Sequence, residues 1–373
     1  MWAYAALLAA VPLLAAAARL GPRAGRAAWA LAWLGLVLFV GLRREIGADW
    51  DNYLVMFRRA GAYPPAEAAT LSDPGYMLLS ALIARLGLAL PALNLACAAL
   101  FATGLVGFAR ARELPWLALL VAIPVLVATV AMLSTRQSAA IGLWMWALAG
   151  YGGGARRWPP LLVALAVLFH GTAALLLPLV AIMAMRRPAP AAVAAAGAAA
   201  GIALAAAFQL VPELAARVAE LAPSRGAPFR AAFTALALVA LAAAWRQIAR
   251  EETERRLAAY LAALGLFALA LTPTLSAAGD RLGFYAIPLQ MLVFARLAAL
   301  APPGRARAAA RLAVAIPYAA LFAAWLAASD YRRCLIPYRS YLADPAAILD
   351  PALERHHRAE PCMGPPSAPP PGI

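Results

Sequence analysis

The sequence predicts an all-α integral membrane protein: a polytopic bundle of about 10 or 11 transmembrane helices, some of them broken or re-entrant. Three observations carry this. Hydrophobic residues make up 65% of the chain and charged residues 13%, where soluble domains run nearer ~45–50% and ~25%. Mean hydropathy is +0.77. Apolar runs of roughly 16–22 residues recur along the chain, each close to the about 20 helical residues that cross about 30 Å of hydrocarbon. The net charge of +15 and pI near 10.8 would point a soluble chain toward nucleic acid, but these arginines gather in the short links between apolar runs. That bias orients membrane helices, so no nucleic-acid partner is expected. Every basic residue is arginine and none lysine, which coding bias explains as well as function does.

The N-terminal stretch MWAYAALLAAVPLLAAAARL has no basic residue ahead of its apolar part, and Arg19 follows it. It reads as a retained first helix and not a cleaved signal peptide, with the N-terminus outside and Arg19, Arg23 and Arg26 inside. Further runs fall near 27–42, 75–90, 92–109, 114–133, 138–150 and 160–185, then near 189–210, 230–245, 257–272, 283–300 and 312–328. Basic links at Arg186–Arg187, Arg246–Arg256 and Arg305–Arg311 alternate with the links 211–229 and 273–282. The alternation puts residues 43–73, residues 273–282 and the tail after Ala328 on the side away from the cytoplasm. The middle does not count cleanly, because Arg110, Arg112, Arg156 and Arg157 cannot all be cytoplasmic if every run between them crosses once. Pro124 and the pair His170–Gly171 interrupt two of those runs. A broken or re-entrant helix is expected at either, a backbone tolerated at membrane depth only where it lines a protein cavity.

Residues 1–345 are expected to form a single polytopic membrane domain with 43–73 as its large extracytoplasmic loop. Residues 346–373, ending in the Pro-rich PPSAPPPGI, are expected to be a disordered tail. The three cysteines show no metal-ligand spacing, so no metal is expected. Cys97 lies in an apolar run, and Cys334 and Cys362 would pair if the tail faces an oxidising compartment.

Chemistry concentrates where charge meets the bilayer. In GLRREIGADWDNY, residues 41–53, the groups Arg43, Arg44, Glu45, Asp49 and Asp51 follow directly on an apolar run. Ionisable groups at the centre of a spanning helix cost about 2.5–3.5 kcal/mol on insertion scales, so charge at the mouth of a bundle tends to have a task. If the segment after it is helical, Asp49, Asn52 and Tyr53 share a face and Asp51 turns away. Arg136 and Gln137 in MLSTRQSAAIGLWMW, His170 in VLFHGTAALLLPL, and Asp280 with Arg281 in LSAAGDRLGFYAIPLQ interrupt apolar surroundings in the same way. Arg281 and Tyr285 stand four apart, on one face of a helix. The plainer alternative is that Asp280 and Arg281 only neutralise each other, His170 is a satisfied polar group and Arg136 marks a helix end. No nucleotide loop, zinc spacing or Ser-His-Asp order is present.

The segments GLRREIGADWDNYLVMF, SDPGYMLL, STRQSAAIGLWMWAL, LFHGTAALLLPL, GDRLGFYAIPLQMLVFARL and IPYRSYL follow one another in the order found in the EpsG family, which is similar to Wzy-type polymerases of exopolysaccharide and capsule assembly. The resemblance runs from about residue 27 to about 345. The family's L-R with a following G-x-D and tyrosine fall on Arg43, Gly47, Asp49 and Tyr53. Its R-Q element falls on Arg136 and Gln137, its F-H on Phe169 and His170, its D-R-x-x-x-Y on Asp280, Arg281 and Tyr285, and its P-Y-x-x-Y on Pro337, Tyr338 and Tyr341.

What the resemblance implies is an enzyme of the bacterial inner membrane that joins polyprenyl-diphosphate-linked oligosaccharide repeats on its outer face, without a cofactor. A chain-length regulator and other assembly proteins would be its partners. Such an enzyme needs cations for the diphosphate, a base for the acceptor hydroxyl and a groove open to lipid. Arginine suits the first, since its planar fork binds phosphate oxygens bidentately: Arg43, Arg136 and Arg281, with Arg44 in reserve. Asp49 is the preferred base and His170 the second choice. Tyr53, Tyr285 and Tyr338, with Asp280, would contact the glycan. Two other readings remain open on the same residues: a glycosyltransferase using a polyprenyl-phosphate sugar, and a flippase for the lipid-linked repeat that needs no base.

Overall fold

The computed structural model describes residues 2–185, 226–328 and 331–343. The apolar run at 189–210, the Pro-rich tail and Cys362 lie outside the described residues. Among those described there is no strand, and the fold is all-α.

Thirteen α-helices of eight or more residues are described: α1 Trp2–Ala17, α2 Pro22–Gly41, α3 Trp50–Ala62, α4 Pro74–Arg85, α5 Leu90–Arg110, α6 Pro115–Ala122, α7 Thr135–Gly152, α8 Pro159–Phe169, α9 Leu177–Ala184, α10 Ala227–Ala243, α11 Glu252–Leu271, α12 Ser276–Leu300 and α13 Arg305–Ala328. Five spans are long and apolar enough to cross a bilayer: Trp2–Leu20, in which α1 runs on as a 3₁₀ turn, and helices α2, α5, α12 and α13. The apolar segments Pro115–Ala131, Pro159–Phe169, Gly171–Ala184 and Ala227–Ala243 are shorter. The chain is a multi-pass membrane protein.

Proline sets many of the starts. It occupies the first turn of α2, α4, α6, α8, α9 and α10, where its missing N–H has no intrahelical partner to lose. Helix α11 begins on a capping box between Glu251 and Glu254, which satisfies two of the otherwise orphaned N-terminal donors.

Both interruptions foreseen in the sequence take physical form. Beyond α6 the chain winds as a π-helix over Ile123–Ala131, because Pro124 removes one N–H from the ladder and its ring crowds the preceding turn. At His170 the backbone leaves α8 in an extended conformation, φ −159° and ψ 118°, and resumes as a 3₁₀ turn over Gly171–Leu176 before α9.

The described residues fall into two compact units. The first holds residues up to 102, residues 127–139 and those from 323 on. It carries the loop after α2, where Gly47 has φ +107° and an added Cβ would lie 2.6 Å from the Met132 carbonyl oxygen. Only glycine fits both demands. The segment 331–343 lies along this loop: Arg44 N–H donates to Arg339 O, Tyr341 N–H to Leu42 O and Gly47 N–H to Cys334 O. Cys334 is buried and disulfide-bonded, and Cys97 is a buried free thiol.

The second unit holds residues 103–126 and 140–322. Here α5 crosses α7 at Gly104, where a Cβ would stand 1.7 Å from the Gly142 carbonyl oxygen. Helices α10, α12 and α13 are tied inside it by a buried polar chain, Tyr318 Oη donating to Gln290 Oε1 at 2.6 Å and Gln290 Nε2 to Thr234 Oγ1 at 3.0 Å.

Candidate functional site

In the first unit the site is built around Arg43. Helix α2 ends at Gly41 and the chain turns extended, so Arg43 pairs with Ser340 as an isolated antiparallel bridge. The side chain folds back: Nη1 donates to Val40 O and Nη2 to Thr135 Oγ1, each at 2.6 Å. Arg43 is 2% exposed. Among the described residues no carboxylate pairs with it, and its Nε is buried without a hydrogen-bond partner. Burial pushes its pKa below the ordinary arginine value, against the opposing pull of Tyr53 and Tyr76 nearby.

Thr135 opens α7, so the next residue, Arg136, comes to the same place. Its Nη1 donates to Asp73 Oδ2 at 2.6 Å and Ser72 Oγ at 2.7 Å, and its guanidinium carbon stands 6.0 Å from the centroid of the Tyr53 ring. The rings of Tyr53 and Tyr76 lie 5.8 Å apart. Two cations and two buried phenols therefore share one end of this unit. The segment after the loop is helical as expected: Asp49 is the N-terminal flank of α3, half-buried, with Tyr53 buried and Asn52 exposed.

Tyr338 is half-buried against α1 and α2. It stacks on Phe39 at 4.6 Å and 4° and donates to the Phe39 carbonyl at 2.8 Å. Arg339 pairs with Glu45 at 2.6 Å, and Arg44 stands 3.8 Å from the same carboxylate and 5.7 Å from the Tyr341 ring centroid. Arg44 thus holds the segment 339–341 to the loop.

His170, Asp280, Arg281 and Tyr285 belong to the second unit. His170 Nδ1 is 2.6 Å from Thr172 Oγ1, and the Thr172 hydroxyl donates to Tyr285 Oη at 3.3 Å. Trp144 Nε1 donates to the Tyr285 carbonyl at 3.1 Å. Asp280 pairs with Arg230 on another helix: Arg230 Nε donates to Oδ1 at 2.6 Å and Nη2 to Oδ2, a two-pronged pair that lines a cavity between α10, α11 and α12. Arg281 is exposed while Tyr285 is fully buried, so the spacing of four does not give them a common environment.

Ser72, Asp73, Tyr76, Thr135, Thr172 and Arg230 were not singled out by the sequence reading. Ser72, Asp73 and Tyr76 stand in the SDPGYMLL segment, Thr135 in STRQSAAIGLWMWAL and Thr172 in LFHGTAALLLPL, and Arg230 opens an apolar run, which is the only signal each carries. Among the described residues no cluster of His, Cys, Asp and Glu could hold a metal ion.

The model of the EpsG family matches residues 26–340. The chain belongs to the EpsG family. Neither curated proteins nor solved structures yield a match. EpsG membership suggests a polysaccharide polymerase-like role and is consistent with a glycosyl-transferring enzyme. The matched span takes in the Arg43 loop, Arg136, His170, the Asp280 segment and Tyr338.

Proposed function

We propose that this EpsG-family protein lengthens glycan by joining polyprenyl-diphosphate-linked oligosaccharide repeats, as an enzyme of exopolysaccharide or capsule assembly at the outer face of the bacterial inner membrane. The observation that supports this best is Arg43: a buried guanidinium without a carboxylate among the described residues, next to a second arginine. A buried cation that lacks an anion carries a desolvation cost of several kcal/mol that an incoming anion offsets. A lipid diphosphate supplies that anion and is also the leaving group.

In this reading Arg43 and Arg136 hold the diphosphate oxygens, with substrate phosphate competing against Asp73 for Arg136. The acceptor hydroxyl of one repeat attacks the anomeric carbon of the other. As the new C–O bond forms, the bond from the anomeric carbon to the diphosphate oxygen breaks, and the electron pair stays on the diphosphate. The hydroxyl proton passes to Asp49. Tyr53 offers a ring to a sugar face, and a chain-length regulator would be a partner of the assembly.

Purified protein in proteoliposomes, given lipid-linked repeat, tests this by the ladder of products. Wild type is expected to extend the repeat, and Arg43→Ala and Asp49→Asn to leave it single. A ladder of normal length from Arg43→Ala would overturn the assignment.

A further inference from the structure

Two buried polar side chains of the first unit, Tyr76 and Asn94, have no part in the scheme above. Tyr76 is 0% and Asn94 1% exposed, and among the described residues the Tyr76 hydroxyl and both polar atoms of the Asn94 carboxamide have no hydrogen-bond partner. The Nε of Arg43 is in the same condition. Buried polar groups in folded proteins are nearly always paired, so orphans of this kind mark a missing partner.

The chain brings them together. Tyr76 on α4 lies within electrostatic reach of both Arg43 and Arg136. Helices α2 and α5 touch where a Cβ on Gly41 would lie 2.8 Å from Leu95 Cα. Asn94 precedes Leu95 on α5 and shares a helix face with Cys97 three residues on, which is within electrostatic reach of Arg43 and Tyr76 alike.

The donor count decides the ligand. Arg43 offers an N–H with a full charge, Tyr76 an O–H and Asn94 an NH₂, against a single strong acceptor in the Asn94 carbonyl. A neutral sugar hydroxyl brings donors of its own, whereas a phosphate oxygen only accepts. We propose that Arg43, Tyr76 and Asn94 form a buried pocket that takes a phosphate group of a lipid diphosphate, with Tyr76 and Asn94 as its neutral hydrogen-bond donors. The proposal rests on reading Arg43 as a diphosphate ligand and adds two residues to the grip.

An orphaned polar group costs stability in the empty protein, so removing it has a sign opposite to that of a structural hydrogen bond. Tyr76→Phe and Asn94→Leu are therefore expected to raise the ligand-free melting temperature of the full-length protein in detergent. The same variants are expected to weaken binding of inorganic pyrophosphate and of farnesyl diphosphate about tenfold or more, since hydrogen bonds to charged groups are worth at least that factor. Equal weakening with both probes assigns the pocket to the phosphate group itself, and weakening with farnesyl diphosphate alone assigns it to a phosphate delivered by lipid; both outcomes support the pocket. Unchanged affinity for both probes overturns the proposal, and so does a fall in ligand-free melting temperature, which would mean that Tyr76 and Asn94 are already satisfied in the empty state. The readout contains no glycan: diphosphate binding through Tyr76 without polymerisation keeps the pocket and sinks the polymerase reading. Polymerisation with unaltered binding in both variants does the reverse.

Discussion

Arg43 faces Ser340 across an isolated antiparallel bridge, so the residue that carries the candidate site is held by a segment from the far end of the chain. Tyr338, two residues before that bridge, fixes the segment through its stack and hydrogen bond on Phe39. Removing the ring is expected to release the loop that orients Arg43. Tyr338→Ala should cost about 1–3 kcal/mol from the lost ring pair and hydrogen bond. Tyr338→Phe, which keeps the stack, should cost less than half of that. Thermal unfolding of both variants in one detergent checks the order.

The same tyrosine gives a pH dependence. Burial raises the Tyr338 phenol above its ordinary value. The folded state therefore favours the neutral form: the stabilisation is complete below about pH 10, the ordinary tyrosine value, and is lost as pH climbs toward the raised folded-state value. Melting temperature should fall above pH about 10, and the fall should be shallower in Tyr338→Phe. An equal slope in the variant would remove Tyr338 from the account.

Gly47 combines a left-handed backbone with a close approach to Met132 O. Gly47→Ala meets both obstacles, and backbone strain of this kind costs about 1–3 kcal/mol before the clash is added. The expected outcome is a lower melting temperature and little glycan extension at matched membrane levels. Gly35→Ala, where a Cβ meets nothing within 4 Å, should behave as wild type in both assays.

In the second unit, the pair Arg230–Asp280 has side chains 10% exposed on each partner. Removing one partner of a buried pair leaves an uncompensated charge and is strongly destabilising, about 3–5 kcal/mol, while replacing both with apolar residues is often near neutral. Arg230→Met and Asp280→Leu should each lower stability, and the double variant should recover most of the loss. Such recovery without recovered glycan extension would show that the pair matters to the reaction beyond holding α10 to α12.

Much of this was legible in the sequence because it is local. Composition and run length gave the all-α membrane class. The two broken helices were visible because proline and a polar His-Gly pair disrupt a helix wherever they stand. Arg43 and Asp49 drew attention as charges at a membrane boundary. Partnerships across the chain were not legible. A spacing of four put Arg281 and Tyr285 on one face of α12, yet helix periodicity does not say which face meets α10 and which meets lipid. Asp280 found Arg230 from another helix, and Arg136 found Asp73. Thr135 carries no sign in the sequence of its bond to Arg43, which reaches it from 92 residues away. The packing of Tyr338 on Phe39 was not legible either, because the segment 331–343 reaches α2 from the far end of the chain.

The most direct test of the central claim is the size distribution of lipid-linked glycan in cells carrying wild type, Arg43→Ala, Arg43→Lys and Asp49→Asn at matched membrane levels. The account predicts a single outward-facing repeat in all three variants. Lysine fails with alanine because it cannot reach Val40 O and Thr135 Oγ1 with one planar fork while leaving Nε for phosphate. Long chains in Arg43→Ala would contradict the account, and a repeat trapped on the cytoplasmic leaflet would make the protein a flippase.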